Sequence, residues 1–318
     1  MALMALRAPH LHALLDTVAR RFGREHDPRS RVFADPADGA RSAVGGADGS
    51  LVMGEQTSNR LETLTDPFGV GPAGMSFEDL RAAQQDLGDA TTQAVLTATD
   101  SGMGSEQSGD ELDRQLAVGL AEGWTHAQGR DLADSIGVGQ NLYRDGHSPY
   151  FGPSGAQPAA DGLLLRVAAL RGVDLGYDDS LHSTRDDLLA VPPGQRFDAV
   201  AKTVLETHGA THMPPEARAT LVADLKAGFG KAVAATDTSV SEHLASGAVD
   251  RASIRARQFA QQTPVDPALQ HVAHLAGAGV AGPGGGEPSS SRREEAPGTT
   301  PTATPVSRTS SATPAIGT

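Results

Sequence analysis

Apolar residues recur along most of this chain at the spacing of an α-helix. Leu11, Leu14, Leu15 and Val18 form an i, i+3, i+4, i+7 face, which predicts a leading amphipathic helix within residues 1–24. Residues 25–73 are rich in Asp, Gly, Ser, Arg and Pro and lack sustained periodicity. They read as a flexible linker with room for one hairpin, since only Arg31-Val-Phe-Ala and Ser50-Leu-Val-Met resemble strands.

Order resumes at Ser76, whose spacing to Asp79 is that of a capping box. Leu80, Ala83, Leu87 and Ala90 predict a helix over 77–97, and Leu112, Leu116, Val118 and Leu120 another over 110–124, extended by 130–136 beyond Gly129. A helix over 158–171 carries Pro158 near its first turn and Gly172 at its end. Its stretch 163–170 is apolar nearly all round, so it should be the most buried helix. A shorter helix is expected from Ser183, followed by helices over 196–207, 215–235 and 239–262 and an amphipathic segment over 267–276. From Gly277 the chain is Gly, Pro, Ser and Thr, too poor in apolar surface to offset chain entropy. The expected architecture is therefore all-α: an irregular multi-helix globular domain over 74–277, preceded by the disordered linker and followed by a disordered tail over 278–318.

Composition sharpens this picture. Aromatic residues make up only 4%, so the core must be mostly Leu, Val and Ala in close-packed helices. The absence of cysteine excludes disulfides, thiolate metal sites and a cysteine nucleophile. A net charge of -13 argues against nucleic acid as a partner, because phosphate contacts need a basic surface. Lysine occurs only at positions 202, 226 and 231. A GC-rich genome that favours arginine codons accounts for this, as does protection from ubiquitin attachment in a host cytosol; both point to a bacterial source. No apolar run reaches the ~20 residues that span a bilayer. The acid-poor N-terminus loosely resembles a transit peptide but reads better as an ordinary helix, and a secretory signal peptide is not expected, since no compact apolar stretch leads to a small-residue cleavage site. The expected location is cytoplasmic, or exported without a cleavable secretory signal.

The densest candidate chemistry is the loop 145–155 (Asp-Gly-His-Ser-Pro-Tyr-Phe-Gly-Pro-Ser-Gly), which opens onto the helix expected from 158. Glycine turns and the free N–H groups of a helix N-terminus make an anion cradle. His147 and Tyr150 are the candidate catalytic residues and Gly152, Ser154 and Gly155 the candidate ligand-binding ones. Residues 147–170 distantly resemble the Fic family of nucleotide transferases, whose His-Pro-Phe-x-(Asp/Glu)-Gly-Asn-Gly-Arg loop opens a buried apolar helix. The motif is degenerate: Ser148 is inserted, no residue supplies the metal-binding acid, Ser154 stands at the Asn position and Ala156 replaces the phosphate-holding arginine. The bland reading of the loop is a rigid turn whose aromatic side chains plug the core.

His208 and His212 have the i, i+4 spacing of a helical metal pair, but Gly209 and Pro214 predict that the helix has ended. The pairs His10/His12 and His271/His274 read as solvated faces. Asp178, Asp179, Asp186 and Asp187 flank His182, with Asp186 and Asp187 expected in the first turn of a helix capped by Ser183. No metal ligand set and no cofactor is named by the sequence, which also lacks Walker, Rossmann and Gly-x-Ser-x-Gly motifs. Two functions follow: a bacterial helical effector or interaction protein, exported or resident, that binds a protein partner; or a phosphate-group transferase or hydrolase at 145–155.

Overall fold

The computed structural model describes residues 4–5, 9–23, 32–35, 43–45, 50–65, 74–99, 110–135, 155–173 and 178–262. All lie in one unit, Met1–Val265, while the second unit, Asp266–Thr318, lies outside the described residues, and with it the expected segment 267–276 and the tail. The elements run β1 (Met4–Ala5), α1 (Pro9–Arg21), β2 (Val32–Asp35), β3 (Val44–Gly45), β4 (Leu51–Gly54), α2 (Glu55–Thr65), α3 (Phe77–Thr99), α4 (Glu111–Ser135), α5 (Ala156–Leu170), α6 (Asp178–Leu189), α7 (Arg196–Thr207), α8 (Pro215–Val233) and α9 (Thr238–Gln262). The fold is mostly helical, as the periodicity predicts.

The helix boundaries follow from local chemistry. Ser76 Oγ accepts the N–H of Asp79 at 3.1 Å, and the same hydroxyl donates to the Asp79 carboxylate at 2.6 Å. The box is thus closed through the hydroxyl rather than through the Ser76 backbone. Asp110 caps α4 by accepting the N–H groups of Leu112 and Asp113. That helix runs without a break through Gly129 to Ser135, bridging the gap at 125–129 in its apolar pattern. Helices α5 and α7 both end in Schellman turns: Gly172 (φ 73) and Gly209 (φ 67) take the left-handed position, and the following N–H groups of Val173 and Ala210 return to the carbonyls of Ala168 and Leu205.

The segment 25–73 differs from the linker that its composition predicts. Its described residues form β2, β3, β4 and α2, with Val32, Leu51, Met53, Leu61 and Leu64 all buried. The sheet order is β1-β2-β4-β3. The two strand-like runs pair with each other in parallel, Val32 opposite Leu51, while β1–β2 and β3–β4 are antiparallel, the latter with no helix between its strands, as in a hairpin. Alternate residues supply the core, so two short runs suffice once they are paired. Nor is α1 a separate arm: Leu11, Leu14, Leu15 and Val18 belong to the same apolar cluster as the later helices, and the Phe22 ring lies 5.8 Å from that of Trp124.

Helix α5 is the central one, as its all-apolar stretch predicts. It packs against α4, α6, α7, α8 and α9 and leaves mainly Leu165 and Arg166 toward the surface. Two glycines permit the closest approaches. A Cβ at Gly119 of α4 would meet the Ala156 carbonyl oxygen of α5 at 2.4 Å, and one at Gly162 of α5 would meet that of Glu242 in α9 at 2.3 Å. Phe197 and Phe229 meet edge to face, 5.5 Å apart, where α7 crosses α8.

A buried ion pair fixes the start of α7. One Asp113 oxygen accepts the N–H of Arg196 at 3.0 Å; the other accepts Arg196 Nη1 and the N–H of Gly194, both at 2.8 Å. Both side chains are almost wholly buried, 2% and 1% exposed. Asp113 therefore caps, from α4, a helix that begins 83 residues away.

Candidate functional site

His147, Tyr150, Gly152 and Ser154 lie outside the described residues, so of the candidate loop only Gly155 has a described place. It is exposed, has helical backbone angles (φ -58, ψ -15) and directly precedes α5. The carbonyl oxygen of Val233, at the end of α8, lies 3.4 Å from where its Cβ would be. The C-terminal end of one helix thus abuts the N-terminal end of another at this point.

The paired histidines part company. His208 is the C-cap of α7 and His212 lies in the next turn, beyond Gly209, so the two share no helix face. Burial, followed by the charge of Arg257, holds the His208 imidazole below its ordinary pKa. His212 instead rests its ring 5.1 Å from that of Phe259. His12 is half-buried on α1, whereas His271 and His274 lie outside the described residues.

The acidic cluster is built differently from its sequence reading. Helix α6 begins at Asp178, so Asp186 and Asp187 occupy its last turn and not a first turn capped by Ser183. Carboxylates there oppose the helix dipole. Arginines from neighbouring elements offset this: Arg21 pairs with Asp186 at 3.0 Å and Arg171 with Asp187 at 2.7 Å. One residue earlier, the buried Arg185 reaches Asp161 of α5 at 3.0 Å, its guanidinium 3.2 Å from where a Cβ on Gly123 would be. Arg21, Asp131, His182, Asp186 and Asp187 line an open cleft of about 600 Å³. Among the described residues no group of three His, Asp or Glu side chains could hold a metal ion. With Asp186 and Asp187 each held by an arginine, the cleft wall is a charged junction between helices.

A second concave surface lies between α8 and α9. Leu221, Gly228 and Ala252 form its floor, Ile254 stands on its edge at 54% exposure, and Lys231, Arg251, Arg255 and Asp224 form its rim, enclosing about 360 Å³. The groove continues past Leu221, Arg255 and Gln258 to Met213, Ala217 and Phe259. Arg255 is paired with Asp224 across the groove. Lys231 and Arg251 have no ionic or hydrogen-bonding partner among the described residues. Both are exposed.

Glycine again sets the geometry. A Cβ at Gly228 would lie 2.4 Å from the Ala248 Cβ and 3.2 Å from Arg251 Nη2, and one at Gly247 would lie 3.5 Å from Arg251 Nη1. The guanidinium therefore lies beside two helix-interior glycines, and at Gly228 a Cβ would not fit. Sequence reasoning passed over this surface. The signal was there in two glycines inside otherwise regular helices, where each costs ~1 kcal/mol against alanine unless packing demands it.

The class defined by these features is a helical protein with a small mixed sheet, an arginine-tied acidic cleft and an apolar groove with a basic rim. Comparison with family models, with curated proteins and with solved structures finds no match to this chain. The Fic resemblance therefore stands on residues 147–170 alone.

Proposed function

We propose that this chain is a helical interaction protein that works by binding a protein partner in the α8–α9 groove. The observation that carries the reading is an exposed apolar edge, Ile254, beside two cations that no acid of the described fold neutralises, in a chain of net charge -13. Apolar area bounded by a polar rim is the make-up of a protein-binding surface. A photo-cross-linking side chain at Ile254 of the full chain should capture a discrete partner, and Lys231→Glu with Arg251→Glu should abolish that capture. The same probe at Phe77, 69% exposed on α3, should not capture it. Equal capture from both positions, or capture indifferent to the two charge reversals, would refute the assignment.

The arginine bias and the three lysines support the bacterial, exported form of this reading. It is tested by fractionating the producing cell: full-length chain in the medium, without lysis markers, is the expected result, and retention in the cells is the opposing one.

A further inference from the structure

We infer that the partner segment seated in this groove is an acidic amphipathic α-helix, with its carboxylates placed at the Lys231–Arg251 end. The inference rests on the groove being the binding surface and adds the chemistry of what enters it.

Length comes first. Groove residues on α8 run from Ala217 to Lys231, a span of ~21 Å at 1.5 Å per residue, which matches a partner helix of about 14 residues. A long seam between two helices, with apolar side chains at its floor and edge, is the receptor surface of helix-in-groove recognition. From the Met213 end to the Lys231 end, Phe259, Leu221, Ile254 and Ala252 would face the i, i+4, i+7 and i+11 stripe of such a helix.

Charge then chooses among helices. Arg255 is already neutralised by Asp224, so the middle of the groove offers no net field. Met213, Thr220, Phe259 and Gln262 make its far end uncharged. Lys231 and Arg251 leave two uncompensated positive charges at the near end. Carboxylates of the partner would gain two charge-assisted hydrogen-bonding partners there, one of them a planar fork suited to bidentate binding. Two cations beside an apolar floor are too few for a nucleic-acid backbone, whose binding scales with the number of phosphates met. They are also too few for an anionic membrane surface, which a broad basic face would need to hold.

The probe is a synthetic lactam-bridged helix of about 14 residues, with leucines at i, i+4, i+7 and i+11 and glutamates flanking its last two turns. Its sibling carries lysines in place of the glutamates. Anisotropy titrations with the full chain should show the acidic helix binding at least ~10-fold more tightly than the basic one, with the difference shrinking as salt rises. Lys231→Glu with Arg251→Glu should reverse that preference, and Ile254→Asp should weaken both helices. Circular dichroism of each variant establishes that it is folded. Equal binding of the two helices, unaffected by the charge reversals but lost in Ile254→Asp, would overturn the acidic specificity and leave the groove as a binding surface. No binding of either helix, together with partner cross-linking from position 254 that the two charge reversals leave unchanged, would overturn the groove reading as well. A concentration-dependent dimer abolished by Ile254→Asp would replace the acidic helix with a second copy of the chain.

Discussion

Replacing Asp113 with alanine should unfold a large share of this protein. The carboxylate accepts three hydrogen bonds, from the N–H groups of Gly194 and Arg196 and from Arg196 Nη1, all at 2.8–3.0 Å. It and the guanidinium are both shut away from water. Removing Asp113 takes this carboxylate from a buried guanidinium and leaves two N–H groups short of their acceptor. Breaking a buried pair in this way costs about 3–5 kcal/mol, a large part of the 5–15 kcal/mol that holds a typical domain together. Urea unfolding followed by circular dichroism at 222 nm measures it directly: the midpoint should fall with little change in slope.

A second variant separates charge desolvation from packing. Asp113→Leu combined with Arg196→Met removes both charges while filling their volume, and should recover most of what Asp113→Ala loses, because a buried pair is dear to break and cheap to replace. If Asp113→Ala cost less than ~1 kcal/mol, the value of an ordinary exposed contact, the buried cap would not be what holds α7 to α4. If the double variant were as unstable as the single one, the two N–H groups and not the charge would carry the loss.

Three further outcomes are expected. Gly162→Ala should destabilise by ~1–3 kcal/mol despite alanine's higher helix propensity, because the new Cβ would strike the Glu242 backbone; Gly230→Ala, which meets only the flexible end of Leu112, should be neutral or stabilising by up to ~1 kcal/mol in the same urea assay. Burial pushes the Asp110 carboxyl up, but hydrogen bonds from Lys226 and from the N–H groups of Asp113 and Leu112, with the Lys226 charge, more than reverse this and leave it below its ordinary value; its contribution is therefore fully present above about pH 4 and lost as pH falls through the lowered pKa, so Asp110→Asn should flatten the acid limb of stability against pH. His208, lowered by burial and then by Arg257, takes up its proton more readily when unfolded, so stability should decline as pH falls below about 6.5 and His208→Gln should blunt that decline.

Much of the helical body was legible because its ends are written in local chemistry. Ser76 with Asp79, Pro215 at the start of α8, and Gly172 and Gly209 just past α5 and α7 each satisfy or release backbone groups within a few residues, so reading along the chain finds them. The start of α6 was misplaced because Ser183 looks like a cap, whereas Leu181 packs against the core from inside the helix. What joins distant segments was not legible. The runs at 32–35 and 51–54 announce strands, yet their parallel pairing depends on where α2 and α3 hold them, which no short pattern encodes. Asp113 and Arg196 carry no mark in the sequence, since nothing within either helix says that each is buried against the other.

The binding surface stands between these cases, and it shows which departures from local rules repay attention. Gly228 and Gly247 weaken the helices that contain them, and neither ends a helix nor turns the chain. A glycine in that position is explained only by something that comes too close for a side chain. At Gly228 that something is the Ala248 methyl together with the Arg251 guanidinium; at Gly247 the same guanidinium lies at ordinary contact distance, so packing alone does not require the glycine. Two otherwise unfavourable residues thus converge on one arginine that has no acid to pair with among the described residues. An alanine at Gly247, where the contact is an ordinary 3.5 Å, should leave the fold intact while nudging that guanidinium. Loss of helix binding without loss of stability would then show that the seam is kept open for the partner and not for packing.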